Sequence, residues 1–206
     1  MRAGLTVVKL GGSLAVSDAL KNWLQALAGC TGDVVVVPGG GPFADAVRAA
    51  QPKMGFDDQA AHRMALIAME QYGHALVSLG AGLVLADTVS AIRRIVREGR
   101  VPVWAPVPMA LGAKDIPCSW DMTADSLAAW LAGKIGARRV LLVKQVDVSG
   151  PLAVHDLAPR GIVDPLFPRF LAAAGAEASV AGPHDHAAAA RAIRAGEAAG
   201  TRIGLQ

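Results

Sequence analysis

Short apolar runs alternate with longer stretches of helical periodicity along the whole chain. The run VVVV at residues 34–37 has no polar position, which predicts a strand covered on both faces. Further strands are predicted at 6–10, 83–85, 101–107, 139–143, 178–181 and 201–205, and helices at 17–28, 42–51, 58–72, 90–98, 123–135 and 165–174, with an alanine-rich helix before the last strand. This alternation of predicted strands and helices is typical of a parallel sheet with helices on both faces, so we expect an α/β fold.

Composition narrows the class of protein. A chain of 206 residues with 53% hydrophobic content can form one domain with a sizeable core. The formal charge is only +3 and the arginines are scattered, so we expect small anions as partners and no nucleic acid. Cys30 and Cys118 belong to no CxxC pair, which argues against a zinc site or a disulfide and suits a reducing cytoplasm. The apolar stretch before Lys9 is too short for a signal peptide, and prolines interrupt the 101–108 stretch, so neither export nor a membrane span is predicted.

Glycine-rich turns follow several of the predicted strands. None has the spacing GxxxxGK[ST], which argues against a P-loop nucleotidase. The turn after the second strand contains a formal GxGxxA at Gly39, Gly41 and Ala44, but Pro42 removes a backbone donor and the acids at 57–58 open a helix. A Rossmann dehydrogenase therefore stays a minor alternative, and a purely structural tight turn also stays open.

Two of these turns, at Gly11-Gly12 and at residues 39–41, follow adjacent strands of one predicted sheet. The carboxyl ends of such strands form the ligand crevice, and side-chain-free turns let backbone N–H groups approach phosphate oxygens. Lys9 precedes the first turn, so its ammonium is expected to point into the same crevice; a solvated charge at a strand end is the alternative.

The segments VVKLGGSL, VVVVPGGGPFADAV, DMTADSLAAWLA, VLLVKQVDVSG and GTRI resemble, in this order, the motif series of the amino acid kinase superfamily. The resemblance spans essentially the whole chain. It implies a three-layer αβα sandwich with an open, mainly parallel sheet in a single domain, 1–206. Residues 1–120 would mainly bind the phosphoryl acceptor and residues 121–206 mainly ATP.

The same resemblance implies the roles of the first motif and of the helix after residue 122. Lys9 would bridge acceptor and γ-phosphate oxygens, and Gly11, Gly12 and Ser13 would form the phosphate-binding turn. Asp125 matches the aspartate that holds the active-site lysine by an ion pair, as an orienter more than a base. An acid in the first turn of a helix also favours the helix dipole, and the two roles are compatible.

The fourth motif would lie against the nucleotide, with Asp147, Ser149 and Gly150 near adenine or ribose. Lys144 stands where the family commonly has threonine or aspartate. It is expected either to give a second cation to the ATP phosphates or to be a surface lysine. Many relatives carry another lysine further on, where the segment GIVDPLFPRF offers only Arg169.

The acceptor side, GGGPFADAVR with the helix from residue 57, resembles a subgroup that phosphorylates an aminomethyl-furanmethyl phosphate on the route to methanofuran. The candidate acceptor contacts are Gly39, Gly40, Gly41, Arg48, His62 and Asp121, with Asp121 holding a cationic amine. A kinase of isopentenyl phosphate, UMP or an amino acid, and a non-catalytic nucleotide- or oxyanion-binding protein on the same fold, remain alternatives.

ATP and Mg²⁺ are the expected cofactors, with the metal bound mainly by phosphate oxygens and water. The sequence His184-Asp185-His186 does not place both imidazoles on one helix face, so we expect a loop there and no protein metal site. Apolar residues in MALIAME, at 64–70, suggest a homo-oligomer.

Overall fold

The protein forms an eight-stranded sheet flanked by helices. The computed structural model describes residues 4–145, 150 and 152–204. The strands are β1 (Thr6–Leu10), β2 (Val34–Pro38), β3 (Leu83–Ala86), β4 (Val101–Trp104), β5 (Arg139–Val143), β6 (Leu152–Ala153), β7 (Glu177–Ala181) and β8 (Thr201–Gly204). The helices are α1 (Ala19–Ala28), α2 (Gly41–Met54), α3 (Asp58–Leu79), α4 (Val89–Arg97), α5 (Val107–Ala110), α6 (Ala124–Ile135), α7 (Val154–Leu157), α8 (Phe167–Ala174) and α9 (His186–Ala195), and a 3-10 helix, Gly12–Val16, precedes α1.

The strand order is β3-β4-β2-β1-β5-β7-β8-β6. Strands from β3 across to β7 run parallel, and the antiparallel pair is β7 with β8. The expected open, mainly parallel sheet is therefore confirmed. β1 lies at its centre, paired with β2 on one side and β5 on the other.

Two apolar clusters cover the two faces of this sheet. One joins Val7 and Leu142 to buried side chains of α4, α6 and α8. The other joins Val8 and Leu10 to α1 and α9, with the largest contribution from the fully buried Trp23. Because successive strand residues point to opposite faces, fully apolar strands supply both clusters, which produces the αβα sandwich.

The predicted bounds of the elements differ from the observed ones mainly near α3, β4 and β6. α3 continues to Leu79, and β4 ends at Trp104 because Pro106 begins the short helix α5. β6 and α7 were not predicted at all, since each is too short for a periodic pattern. None of the helices in the described part of the chain combines the length and hydrophobicity that a membrane span needs.

The segment MALIAME was expected to be an exposed apolar surface, which is only half correct. Met64 and Ile67 are exposed on α3, whereas Leu66, Ala68 and Met69 are buried. Much of its hydrophobicity therefore belongs to the core.

Candidate functional site

A buried cluster of three charged side chains lies at the carboxyl edge of the sheet. Lys9 Nζ is 2.9 Å from Asp125 Oδ1, and Lys144 Nζ donates to Asp125 Oδ2 at 2.6 Å. Lys9 is 7% exposed and Asp125 is 3% exposed. One carboxylate thus bridges two ammonium groups, and the cluster carries a net positive charge.

Strand geometry explains why both lysines reach the same helix. Lys9 of β1 is in register with Leu142 of β5, and Lys144 follows two residues later. Side chains two apart on a strand share a face, so Lys9 follows Val7 and Lys144 follows Leu142 onto the face covered by α6. Asp125, in the first turn of α6, lies opposite them.

Burial and charge shift the ionisation of this cluster in both directions. The pKa of Lys144 is lowered to about 8, mainly by burial and next by the ammonium of Lys9, while the Asp125 carboxylate opposes both effects. Burial alone would raise the pKa of Asp125, but the charges of Lys9 and Lys144 together outweigh it and lower that pKa. Asp125 is therefore an anion that orients two cations, which is unsuited to the role of a proton-accepting base.

The two glycine turns meet beside Lys9. Gly39 donates its N–H to Leu10 O at 2.8 Å. A Cβ on Gly12 would lie 2.5 Å from Gly41 N, so only glycine permits this backbone contact. The expectation that both turns face one place is confirmed. Gly11 donates its N–H to Val143 O at 3.2 Å, so that group is engaged with the end of β5, and the role of Gly11 in phosphate binding stays a prediction.

Asp164, a residue that the sequence analysis did not single out, anchors the start of α6. Its buried carboxylate accepts hydrogen bonds from the N–H groups of Thr123 and Ser126 at 2.9 and 3.0 Å and from both of their hydroxyls. It also accepts from Leu166 N at 3.2 Å. A carboxylate at a helix N-terminus satisfies free donors and favours the helix dipole, so Asp164 fixes the turn that carries Asp125. An Asp-Pro pair between helices was the available sequence signal.

A cavity of about 290 Å³ opens next to the charged cluster. Lys9, Gly12 and Ser13 line one end of it, together with the turn at 39–41. The rest of its wall has an apolar part, formed by Ala44, Ala65, Leu66, Met69, Met122, Ala124 and Leu127, and a polar part, formed by Asp45, Arg48, His62, Trp120 and Thr123. The polar end and the apolar wall suit a small anion attached to an apolar body.

Arg48 and Trp120 line one side of the cavity, and Gln51 supports Trp120 from α2. The Arg48 guanidinium carbon is 4.5 Å from the centroid of the Trp120 ring. The Trp120 indole N–H donates to Gln51 Oε1 at 2.6 Å, and Gln51 Nε2 donates to Asp58 Oδ1 at 2.9 Å. This chain of contacts ties the loop before α6 to α2 and α3, and it holds Arg48 at the cavity.

The remaining predicted site residues divide into two groups. Arg48 and His62 line the cavity, and burial lowers the pKa of His62, which favours its neutral form. Asp121 is exposed and is absent from the cavity wall, although its neighbours Trp120 and Met122 belong to it. Arg169 is exposed and lies over the Phe170 ring, away from the cluster.

Two predicted nucleotide contacts, Asp147 and Ser149, lie outside the described residues. Gly150 is described, and it is exposed with a φ of 87°, a left-handed conformation that suits glycine. Lys144, by contrast, is now placed in the charged cluster and is not a solvated surface lysine, with a side chain that is 16% exposed.

The segment at residues 184–186 and the two cysteines have structural surroundings. Asp185 accepts a hydrogen bond from Gly182 N at 2.8 Å, and His186 packs edge-on against Trp23. Cys30 is buried, Cys118 is exposed, and both are free thiols.

The fold and this site define an α/β protein that concentrates positive charge and two glycine turns at the carboxyl edge of a parallel sheet. The sequence profile of the amino acid kinase family matches residues 4–150. The chain belongs to the amino acid kinase family, and it is a kinase.

Individual relatives agree with this assignment. A [5-(aminomethyl)furan-3-yl]methyl phosphate kinase from Methanocaldococcus jannaschii is 26% identical over 160 residues, which cover 75% of this chain and 70% of that protein. The uridylate kinase from Archaeoglobus fulgidus has a TM-score of 0.71 at 19% identity, covering 97% of this chain and 100% of that one. An isopentenyl phosphate kinase gives a TM-score of 0.60 at 18% identity, covering 97% of this chain and 100% of that one. The resemblance stated from the motifs is confirmed.

Proposed function

We propose that this kinase transfers the γ-phosphoryl group of ATP to a small phosphorylated acceptor, for which [5-(aminomethyl)furan-3-yl]methyl phosphate is the preferred candidate. The observation that carries the proposal is the bridged pair Lys9 and Lys144 on Asp125, beside the two glycine turns and next to a cavity. Such a cluster offers fixed positive charge where a transferring phosphoryl group is most negative.

The acceptor assignment is supported by the relative from Methanocaldococcus jannaschii and by the shape of the cavity. A volume of about 290 Å³ is at the small end of the range for ligand sites, so it suits a compact acceptor. The glycine turns and Lys9 would receive the acceptor phosphate, and Leu66, Met69 and Leu127 would contact its apolar ring. Arg48 and the neutral His62 would complete the acceptor contacts.

The proposed reaction is an in-line displacement at phosphorus. An oxygen of the acceptor phosphate forms a bond to the γ-phosphorus of ATP, and the bond from that phosphorus to the β,γ-bridging oxygen breaks. The products are ADP and a diphosphate ester. Lys9 would contact oxygens of the acceptor and of the transferring group, and Lys144 would balance charge on the nucleotide side. Asp125 would hold both ammonium groups in place without taking a proton.

The close approach of the two glycine turns fits this use, because a Cβ on Gly12 or Gly39 would fill the space between them. Mg²⁺ would enter with ATP, bound by phosphate oxygens and water, and would neutralise charge on the β- and γ-phosphates. We propose that residues 1–120 of the single domain mainly hold the acceptor and that residues 121–206, including Asp147, Ser149 and Gly150, mainly hold the nucleotide.

We further propose a cytoplasmic homo-oligomer. The exposed Met64 and Ile67 on α3 are three residues apart and therefore share one helix face, where a second copy would cover them.

A coupled ADP-release assay tests the function. Wild-type protein with Mg-ATP would be supplied in turn with the furan phosphate, isopentenyl phosphate, UMP, acetylglutamate and aspartate. Turnover of the furan phosphate, lost in Lys9→Ala and retained in the surface variant Lys21→Ala, is the expected result. Turnover of another acceptor alone would overturn the preferred substrate. Tight ATP binding without turnover of any acceptor would instead support a binding protein.

A further inference from the structure

We propose that Asp45 selects acceptors that carry a protonated amine as well as a phosphate, so that this kinase recognises zwitterionic phosphate monoesters. The inference rests on the proposed function, since it concerns the acceptor cavity of the same site. It replaces Asp121, the residue favoured by the sequence, with a different carboxylate.

The cavity wall carries charged groups of both signs. Asp45 lies on α2, one turn after Gly41, and it is the one carboxylate among the described residues of the cavity wall. The cations of that wall are Lys9 and Arg48, and burial keeps His62 toward its neutral form. The wall therefore presents two positive groups and one negative group to an acceptor.

Among the described residues, Asp45 has no side-chain hydrogen-bond or ion-pair partner. Arg48 is three residues further along α2, at a spacing where aspartate and arginine commonly pair on a helix. Within the part of the chain that the structure describes, however, the ion pairs include neither residue, and Arg48 packs over Trp120 instead. A cation held by an aromatic ring and an anion that forms no ion pair among the described residues thus share one cavity wall.

A carboxylate in this position is unfavourable for a simple phosphate monoester. Like charges repel, so a carboxylate beside the bound phosphate weakens its binding, by an amount that the solvent around the exposed Asp45 reduces. A protonated amine on the acceptor removes this cost, because it replaces the repulsion with a charge-assisted hydrogen bond. The substrate name of the Methanocaldococcus jannaschii relative contains an aminomethyl group, which has this chemistry.

The experiment compares two acceptors that differ only in the amine. These are [5-(aminomethyl)furan-3-yl]methyl phosphate and its counterpart with methyl in place of aminomethyl. Each is measured by ADP release, as kcat/KM, and by calorimetric binding, as Kd. The proteins are wild type, Asp45→Asn, Asp45→Glu, Asp121→Asn and Asp33→Asn. The last removes the same charge in the loop between α1 and β2, at the opposite edge of the sheet.

Wild type is expected to prefer the amine by about 10- to 100-fold, the range of one charge-assisted hydrogen bond. In Asp45→Asn this preference falls to within about threefold of unity, chiefly through weaker use of the amine-bearing acceptor. Asp33→Asn keeps the wild-type preference. Asp45→Glu, which retains the charge on a longer stem, recovers part of it.

An unchanged preference in Asp45→Asn, or its loss in Asp121→Asn instead, would overturn the proposal. Equal turnover of both acceptors by wild type would also overturn it, while the kinase function would stand. If neither acceptor is turned over but the amine-bearing one binds more tightly in an Asp45-dependent manner, the recognition stands and the proposed reaction fails. If neither acceptor binds, both fail.

Discussion

Lys144 allows the strongest test of the charged cluster, because its charge is expected to change within the working pH range of an assay. Its pKa is lowered to about 8, first by burial and then by the ammonium of Lys9. About a tenth of the molecules would hold a neutral Lys144 at pH 7, and about nine tenths at pH 9. If only the ammonium supports transfer, kcat/KM should fall about tenfold for each pH unit above 8.

Two substitutions separate charge from packing at this position. Lys144→Met removes the cation and the 2.6 Å contact with Asp125, and it should lower kcat by about 10²- to 10³-fold, as expected for one preorganised electrostatic group. Lys144→Arg keeps a charge that does not titrate in this range, so the fall above pH 8 should disappear even if the maximum rate is lower.

The assay is ADP release with saturating acceptor, recorded as kcat/KM for ATP from about pH 6 to 10. The titration of Lys144 cannot cause the expected fall in activity by unfolding the protein. A lysine whose pKa is lower in the folded state than its ordinary 10.5 loses its proton first in the folded state, so its titration increases stability between about pH 8 and 10.5. Near-wild-type activity in Lys144→Met, or an unchanged alkaline fall in Lys144→Arg, would refute the reasoning.

Three further variants probe the supports of the site. Asp125→Asn leaves two buried ammonium groups without their counter-ion, so it should lower the free energy of unfolding by about 3 kcal/mol in urea denaturation. Turnover should also be lost. Stability and activity equal to wild type would contradict the bridging role. Asp164→Asn turns an amide NH₂ toward the N–H and O–H donors at the start of α6, so it should lower the free energy of unfolding by about 2–4 kcal/mol in the same measurement. An unchanged free energy of unfolding would show that the cap contributes little. Gly12→Ala places a Cβ 2.5 Å from Gly41 N and should reduce turnover more than tenfold. The control is Gly29→Ala, where the atoms nearest to the added Cβ are 3.5 Å away. Similar losses of turnover in both variants would argue against a close contact of the turns.

Local patterns in the sequence sufficed to predict the central strands. The bounds of β1 and β5 were predicted to the residue, because each is a short apolar run beside a glycine or a polar turn. Asp57 was correctly placed at the start of α3, where its carboxylate accepts from Ala60 N at 2.8 Å. These features depend on neighbours in the chain, which is why sequence reasoning reaches them.

The contacts that build the site depend on register and on distant segments, and sequence reasoning was weaker there. Lys144 could have been placed by combining the alternation of β5 with the pairing of Lys9 and Leu142, but that register is visible only in the assembled sheet. Trp120 reaches Gln51 across 69 residues, and Asp164 reaches Thr123 across 41. The Asp-Pro pair at 164–165 marks a boundary between helices but does not identify Thr123 as the partner, and no local pattern marks the contact of Trp120.

The segment around residue 164 contributes a carboxylate to the support of the charged cluster and no second ammonium. The motif comparison led us to look there for a second lysine, and it offers only Arg169, which the structure leaves exposed over Phe170. The segment instead supplies Asp164, whose negative charge binds the N–H groups at the start of α6 and so fixes Asp125 from behind. The second ammonium comes from Lys144 at the end of β5, on the same sheet face as Lys9. Because Lys9 lies on β1 and Lys144 directly follows the last residue of β5, the spacing of the two positive charges is set mainly by the sheet.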